Sequence, residues 1–195
     1  MKNLIRLTDY TSKEIEDIFR ITEDVIEGKY ADALKGKSVV LFFPSASIRT
    51  RVTFEKGIYL LGGHPILFPT ETLDKKEDLK DVCGYLNNWA DIVIVRHKDI
   101  GVIEKMAQYL NVPVINAMTD CNHPCEILTD MYAFSEKLKE EFDKMLATGA
   151  SPIPSGSISM DQLESYMKGF TSQNLSYSLL LDEKKNDKIK IIQTE

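Results

Sequence analysis

Residues 41–55 have the sequence Leu41-Phe42-Phe43-Pro44-Ser45-Ala46-Ser47-Ile48-Arg49-Thr50-Arg51-Val52-Thr53-Phe54-Glu55. The apolar run from Val39 to Phe43 predicts a buried strand. A short polar turn follows, and apolar residues then recur with helical spacing at Val52, Ile58, Tyr59 and Leu61. The stretch therefore predicts a strand that passes through a turn into a helix.

The turn between that strand and that helix carries Ser47, Arg49, Thr50 and Arg51. A helix N-terminus leaves backbone N–H groups free and carries a partial positive charge. Two hydroxyls and two guanidinium groups beside it would make a strong oxyanion site, so we interpret the turn as a cradle for a phosphate group. The alternative is an ordinary helix start, capped by Ser47 or Thr50 and with solvated arginines.

Strand patterns and helix patterns alternate along the chain. Three more apolar runs predict strands at Pro65–Phe68, Asp91–Val95 and Val112–Ile115. Helical spacing extends from Ile15 to Ile26 (with a Thr11/Glu14 capping box before it), from Leu79 to Trp89, from Ile103 to Leu110 and from Ile127 to Met145. Alternation of this kind implies right-handed crossovers, so the predicted fold class is α/β, a parallel sheet with helices on both faces.

Three candidate binding segments come directly after predicted strands. They are the Ser47 turn, Arg96, and the segment from Asn116 to Glu126, which contains His123. Ligands of parallel sheets bind at the carboxyl ends of the strands, so we expect these segments to converge on one crevice. The alternative is a surface arginine at position 96 and a loop or capping histidine at position 123.

Composition limits the kind of protein. The 195 residues are 43% hydrophobic, enough for a packed domain with an appendage, and carry a formal net charge of -6. An acidic chain argues against general nucleic-acid binding, which needs a basic face. No apolar run reaches the ~18 residues of a membrane span, and the first residues lack the apolar core of a signal peptide. We therefore expect neither nucleic acid nor membrane as a partner.

The three cysteines are Cys83, Cys121 and Cys125, which cannot all pair with one another. A reduced, cytoplasmic protein is the simplest interpretation. Cys121, His123 and Cys125 lie within five residues, but a structural zinc site needs four ligands and no second cluster is present in the sequence. We expect no metal site and no cofactor.

Several of these segments resemble one family. Ser47-Ile48-Arg49-Thr50-Arg51 resembles the Ser-Thr-Arg-Thr-Arg signature of aspartate and ornithine carbamoyltransferases. Residues 7–15 and 34–37 are similar to the ornithine type. His123-Pro124-Cys125-Glu126, followed by Ile127-Leu128-Thr129-Asp130, resembles the family's His-Pro-x-Gln and the run after it. The resemblance is continuous to about Phe142.

The resemblance implies a set of residues that bind carbamoyl phosphate. They are Ser47, Ile48 (through its backbone), Arg49, Thr50, Thr72, Lys76, Arg96, His123, Pro124, Cys125 and Glu126. Four of them would be catalytic: Arg49 would stabilise charge on the leaving phosphate, and Thr50, Arg96 and His123 would polarise the carbonyl. Glu126 would face the carbamoyl NH2 group.

Two positions depart from the family pattern. Ile48 stands where the family has Thr, so a hydroxyl contact is lost there and a backbone N–H contact remains. Glu126 stands where the family has Gln, and a carboxylate beside a phosphodianion costs Coulomb energy unless an arginine neutralises it. Glu126 would otherwise be protonated or serve a different substrate.

The loop from Thr72 to Asp81 also matches the family. By resemblance, Lys76 in this loop would reach the active site of an adjacent subunit, and the functional unit would be a homotrimer. The alternative is a solvated, charged loop.

We expect three regions: a carbamoyl-phosphate-binding domain at 1–148, a linker at 149–160 and a short atypical tail at 161–195. In the tail, Asp161–Phe170 would form a helix, and Leu175–Leu181 with Ile189–Ile192 a hairpin. The family's second, amine-binding domain is expected to be absent.

The resemblance implies a transferase of arginine metabolism, which would carbamoylate an amine, ornithine being favoured, to give citrulline and phosphate. The alternative is a noncatalytic anion-binding or assembly module, a truncated carbamoyltransferase homologue.

Overall fold

The computed structural model describes the backbone of residues 2–74, 77–147, 177–180 and 190–193, and the side-chain surroundings of residues 2–74 and 77–139. The strands of the main sheet are β1 Ser38–Phe43, β2 His64–Pro69, β3 Ile92–Arg96 and β4 Val114–Met118. The helices are α1 Ser12–Ile26, α2 Ile48–Leu60, α3 Leu79–Leu86, α4 Ile100–Tyr109 and α5 Pro124–Ala147. Short 3-10 helices lie at Leu7–Asp9 and Thr70–Thr72.

The four strands form one parallel sheet in the order β2-β1-β3-β4. The predicted α/β fold is therefore confirmed. Central β1 is buried along its length except at Ser38, which matches its apolar sequence. Capping also follows the prediction, because Thr11 and Glu14 form both hydrogen bonds of a capping box at the start of α1.

Helices cover both faces of the sheet, as right-handed crossovers require. On one face, Cys83 and Leu86 of α3 and Ile103 and Met106 of α4 pack in one hydrophobic cluster with strand residues. On the other face, Ile58 of α2 packs in a second cluster with alternate residues of the same strands. The two clusters form the core, and they fix β1 between its neighbours.

The chain divides into two compact units, residues 1–130 and 131–195. In the second unit, β5 Tyr177–Leu180 pairs antiparallel with β6 Lys190–Gln193, which confirms the predicted hairpin strands within one or two residues. The predicted linker at 149–160 and helix at 161–170 lie outside the described residues. The domain boundary at 148 stays a prediction.

Candidate anion-binding site

The candidate site lies where the strand order reverses. The chain passes from β1 to the adjacent β2, then crosses β1 to reach β3 on its other side. The crossover helices after β1 and β2 leave toward opposite faces, which opens a crevice at the carboxyl ends of β1 and β3. The Ser47 turn follows β1, and Arg96 is the last residue of β3. The sequence prediction had both segments at this edge.

Arg96 joins the two strand ends through its side chain. Its Nη1 donates hydrogen bonds to Ser47 Oγ at 3.0 Å and to Thr50 Oγ1 at 3.1 Å. Ser47 is only 8% exposed, so the first of these bonds is largely shielded from water. The guanidinium group of β3 is thus held against the first turn of α2.

The first turn of α2 keeps its backbone donors available. Ser47 occupies the N-cap position, but its side chain makes no capping hydrogen bond. Its hydroxyl accepts from Arg96 instead. The first N–H groups of a helix have no intrahelical partner. In α2 the side chain of Ser47 does not accept from any of them. This geometry favours the anion cradle over the capped helix start.

The positive charges around the turn are not equivalent. Arg51 pairs with Glu55 at 2.7 Å along the exposed side of α2. Within the part of the chain that the structure describes, neither Arg49 nor Arg96 has a carboxylate partner. Both line a pocket of about 480 Å³, whose other lining residues are Pro44, Ala46, Ser47, Ile48 and Thr50. Two uncompensated guanidinium groups and a helix N-terminus therefore face one cavity, which is a strong arrangement for an oxyanion.

His123 forms a local pair with Glu126 at the start of α5. Its Nδ1 accepts a hydrogen bond from the Glu126 backbone N–H at 3.2 Å, and its Nε2 lies 3.3 Å from Glu126 Oε2. The ring therefore caps α5, as the sequence alternative had it, while both nitrogens face Glu126. Burial lowers the pKa of His123; nearby Arg96 lowers it further, and Glu126 acts in the opposite direction.

Pro124 and Cys125, the next two residues of the predicted set, make contacts that stabilise the fold. Pro124 is fully buried as the first residue of α5, a position that suits its missing N–H. Cys125 Sγ donates to the Asn116 carbonyl at 3.4 Å, and burial raises the pKa of its thiol to about 11. Neither of them, nor His123 or Glu126, lines the pocket at the Ser47 turn.

In the loop after β2, the residue that contacts Arg96 is Thr70, and not the predicted Thr72. Thr72 donates its hydroxyl to the carbonyl of Pro69 at 2.6 Å and does not line the pocket. Lys76 lies outside the described residues. Thr70, which the sequence analysis did not select, is buried and donates to the Arg96 carbonyl at 2.7 Å. The strand-end rule would have found Thr70, because it directly follows β2.

A family model for the carbamoyl-P binding domain of aspartate/ornithine carbamoyltransferases matches residues 2–136. The chain belongs to this family, and the resemblance stated from its motifs is confirmed. It is 35% identical over 152 residues to an ornithine carbamoyltransferase of Halalkalibacterium halodurans, covering 75% of this chain and 48% of that one. An Aquifex aeolicus ornithine carbamoyltransferase is 36% identical over 148 residues, with 74% and 48% covered.

Solved structures give the same result. Ornithine carbamoyltransferase from Pyrococcus furiosus superposes with a TM-score of 0.65 at 33% identity, covering 71% of this chain and 46% of that one. A mutant N-acetyl-L-ornithine transcarbamylase complexed with carbamyl phosphate and N-succinyl-L-norvaline gives 0.64 at 28% identity, covering 71% and 49%. The chain therefore spans about half the length of the curated relatives it matches.

Two further facts concern the residues that the structure describes. Among them, no three or more His, Cys, Asp or Glu side chains are grouped so as to hold a metal ion. None of the described helices is long and apolar enough to cross a membrane.

Proposed function

We propose that this chain binds carbamoyl phosphate in the pocket at the Ser47 turn and serves as the carbamoyl-phosphate-binding part of an ornithine-type carbamoyltransferase. One observation carries the proposal: Arg96 spans from β3 to Ser47 and Thr50 beside an uncapped helix N-terminus, with Arg49 lining the same pocket. Family membership supports the identity of the ligand.

In this proposal the chain acts by positioning and charge. The α2 N–H groups and Arg49 hold the phosphate and stabilise the charge that develops on it as it leaves. Arg96 and Thr50 donate to the carbonyl oxygen, on which negative charge forms when the amine attacks the carbamoyl carbon. No covalent intermediate on the chain is needed, because orientation and electrostatics lower the barrier.

Calorimetry with carbamoyl phosphate and inorganic phosphate tests the binding step. Arg49→Ala should weaken binding by about 10- to 150-fold, since hydrogen bonds to charged groups contribute roughly 1.5–3 kcal/mol. Arg51→Ala is the matched control: it removes the same charge from the same helix, but Arg51 is paired with Glu55 and does not line the pocket. Equal affinity of the wild type and the Arg49→Ala variant would contradict the proposal.

Ornithine is proposed as the acceptor because the similar proteins are named ornithine carbamoyltransferases. Citrulline formation from carbamoyl phosphate and ornithine measures this step. For the 195-residue chain we expect binding with only trace turnover, because the described residues hold no second α/β domain that would fix the amine. Orientation of the reactants supplies roughly 7–11 kcal/mol of barrier reduction in such reactions. Saturable turnover by the purified chain would overturn this expectation.

A second candidate function is a noncatalytic anion-binding module. The contact between His123 and Glu126 favours it, because both ring nitrogens face Glu126 and none is directed to the anion pocket. A carbonyl-polarising histidine would need a free donor. Citrulline assays of the wild type and of Glu126→Gln test this candidate: faster turnover in the variant would show that the His123–Glu126 contact suppresses catalysis and would favour binding without catalysis in the wild type.

We further propose a homotrimer in the cytoplasm, with the Lys76 loop shared between subunits, and a role in arginine metabolism. Exposed apolar side chains on α2 support an interface, since Ile48, Val52 and Tyr59 are 75%, 61% and 68% exposed. Free cysteines at positions 83, 121 and 125 suit a reducing compartment. Light scattering of the purified chain measures the oligomeric state.

A further inference from the structure

Two consecutive residues at the end of β3 hold the segment that follows β2. Thr70 Oγ1 donates to the backbone carbonyl of Arg96 at 2.7 Å. The ring Nε2 of His97 lies 3.1 Å from Asp74 Oδ1. His97 is 3% exposed and Thr70 is 6% exposed, so both contacts are anchored from the interior. The segment from Thr70 to Asp74 is thereby tied to β3 at both of its ends.

The contacts of His97 show which ring nitrogen donates a hydrogen bond and which accepts one. Nδ1 lies 3.0 Å from the Asp99 backbone nitrogen and 3.1 Å from the Asp99 carbonyl oxygen. A carboxylate oxygen accepts, so the Nε2–H of His97 donates to Asp74 Oδ1, and Nδ1 accepts the Asp99 N–H. Asp99 is the N-cap of α4. One buried ring therefore connects the loop after β2, the end of β3 and the start of α4.

The pairing of β3 with β4 is irregular at the end of β3. The partner in β4 changes from Asn116 opposite Val95 to Met118 opposite Arg96, so Ala117 is an extra residue in the ladder. A bulge bends the local backbone and redirects the side chains beside it. The ladder resumes at His97, whose N–H donates to the Met118 carbonyl at 3.1 Å. Arg96, whose side chain contacts Ser47 and Thr50, lies at this shift in register.

We propose that His97 and Asp74 form a clamp that fixes the end of β3 beside the bulge in β4 and so positions the Arg96 guanidinium in the anion pocket. His97 is a positioning residue, because it does not line the anion pocket and acts through its neighbour. The inference rests on the proposed function, in which Arg96 lines the anion pocket and donates to the carbonyl oxygen of carbamoyl phosphate.

Replacement of Asp74 tests the clamp, because the clamp and simple electrostatics predict opposite changes in anion affinity. Asp74 is about half exposed, so its replacement does not disturb the core. The loss of a negative charge beside an anion pocket would by itself tighten anion binding. The clamp predicts the opposite: Asp74→Ala should bind carbamoyl phosphate about three- to tenfold more weakly than the wild type.

Two matched variants complete the comparison. Asp74→Asn removes the charge but keeps an oxygen that accepts from Nε2, so its affinity should equal or exceed that of the wild type. Glu71→Ala removes a neighbouring exposed carboxylate outside the clamp and should not weaken binding. Equal or tighter binding by Asp74→Ala, or equal weakening by all three variants, would overturn the clamp.

A readout without ligand keeps the clamp testable by itself. The His97 amide, which donates to Met118, should exchange with deuterium several-fold faster in Asp74→Ala than in the wild type and Asp74→Asn. Unchanged exchange would refute the clamp. If the wild type bound neither phosphate compound, the proposed function would fail, and the exchange rates alone would then decide whether the clamp exists.

Discussion

Glu126 places a negative charge close to His123 at the start of α5. Because a carboxylate repels a phosphodianion, Glu126→Gln should tighten binding of carbamoyl phosphate. Glu126 does not line the pocket, and unit charges more than about 4 Å apart in a water-like medium interact by less than about 1 kcal/mol, so we expect a gain of no more than about fivefold. Calorimetry at pH 8 measures it, with exposed Glu16→Gln on α1 as the charge control. A weaker complex in Glu126→Gln would refute repulsion.

The titration of His123 makes stability depend on pH. Burial, aided by Arg96, holds the pKa of His123 below its usual value. The unfolded chain then binds more protons than the folded chain, so the free energy of unfolding should fall as pH drops below about 6.5. His123→Asn keeps a capping side chain but cannot be protonated. Urea unfolding at pH 7.5 and 5.5 should show a smaller loss for this variant, and an equal loss would contradict the assignment.

Sequence reasoning predicted the residues at the strand ends better than their contacts. Ser47, Thr50 and Arg96 converge as expected, because the carboxyl ends of β1 and β3 must meet wherever the strands pair in parallel. The pairing of His123 with Glu126 was not predicted, since it depends on the rotamers of two side chains in one helical turn. Thr72 was selected instead of Thr70 because of the family resemblance. A resemblance assigns a role to a position in the sequence, but it does not show which partner the hydroxyl at that position contacts.

At the scale of elements, two glycines of the α2 region should respond oppositely to alanine. A Cβ on Gly57 would meet no atom within 4 Å, so Gly57→Ala should raise the free energy of unfolding by about 0.5–1 kcal/mol. A Cβ on Gly63 would lie 2.9 Å from both Ile58 Cγ2 and Leu34 Cβ, so Gly63→Ala should lower it by about 1–3 kcal/mol. Denaturant unfolding of both variants checks the pair, and similar shifts of one sign would contradict the packing.

Element bounds show where the hydrophobic pattern was insufficient. The sequence prediction ended β4 at Ile115 because polar Asn116 interrupts the apolar run. In the structure β4 continues to Met118, and Asn116 is fully buried within it. Its amide nitrogen donates to the Ile5 carbonyl at 3.0 Å and to Asn122 Oδ1 at 2.7 Å. Burial of a polar side chain depends on partners far along the chain, which local periodicity does not contain.

At the scale of the whole molecule, the fold class follows from alternation of strands and helices alone. The strand order does not follow from it, because the same alternation permits β2 and β3 on either side of β1. The observed order β2-β1-β3-β4 creates the reversal at which the anion pocket lies. The sequence predicted that the Ser47 turn, Arg96 and the segment with His123 converge. In the structure, the crossover from β2 to β3 brings the first two of these together.

The bond between Arg96 and Ser47 has a consequence for folding kinetics, because it joins residues 49 positions apart in the chain. Non-local strand pairings form late, after the entropic cost of loop closure has been met. A ligand of this pocket should then recognise the native state and not the transition state, so it should slow unfolding and leave refolding unchanged.

Phosphate at 100 times its dissociation constant would add about 2.7 kcal/mol of stability, equivalent to unfolding about 100-fold more slowly. Stopped-flow measurements of both rates, with and without phosphate, would test this order of events. Faster refolding with an unchanged unfolding rate would instead place the β1–β3 junction in the folding nucleus. The effect of phosphate on the two rates therefore shows whether the pocket forms before or after the transition state of folding.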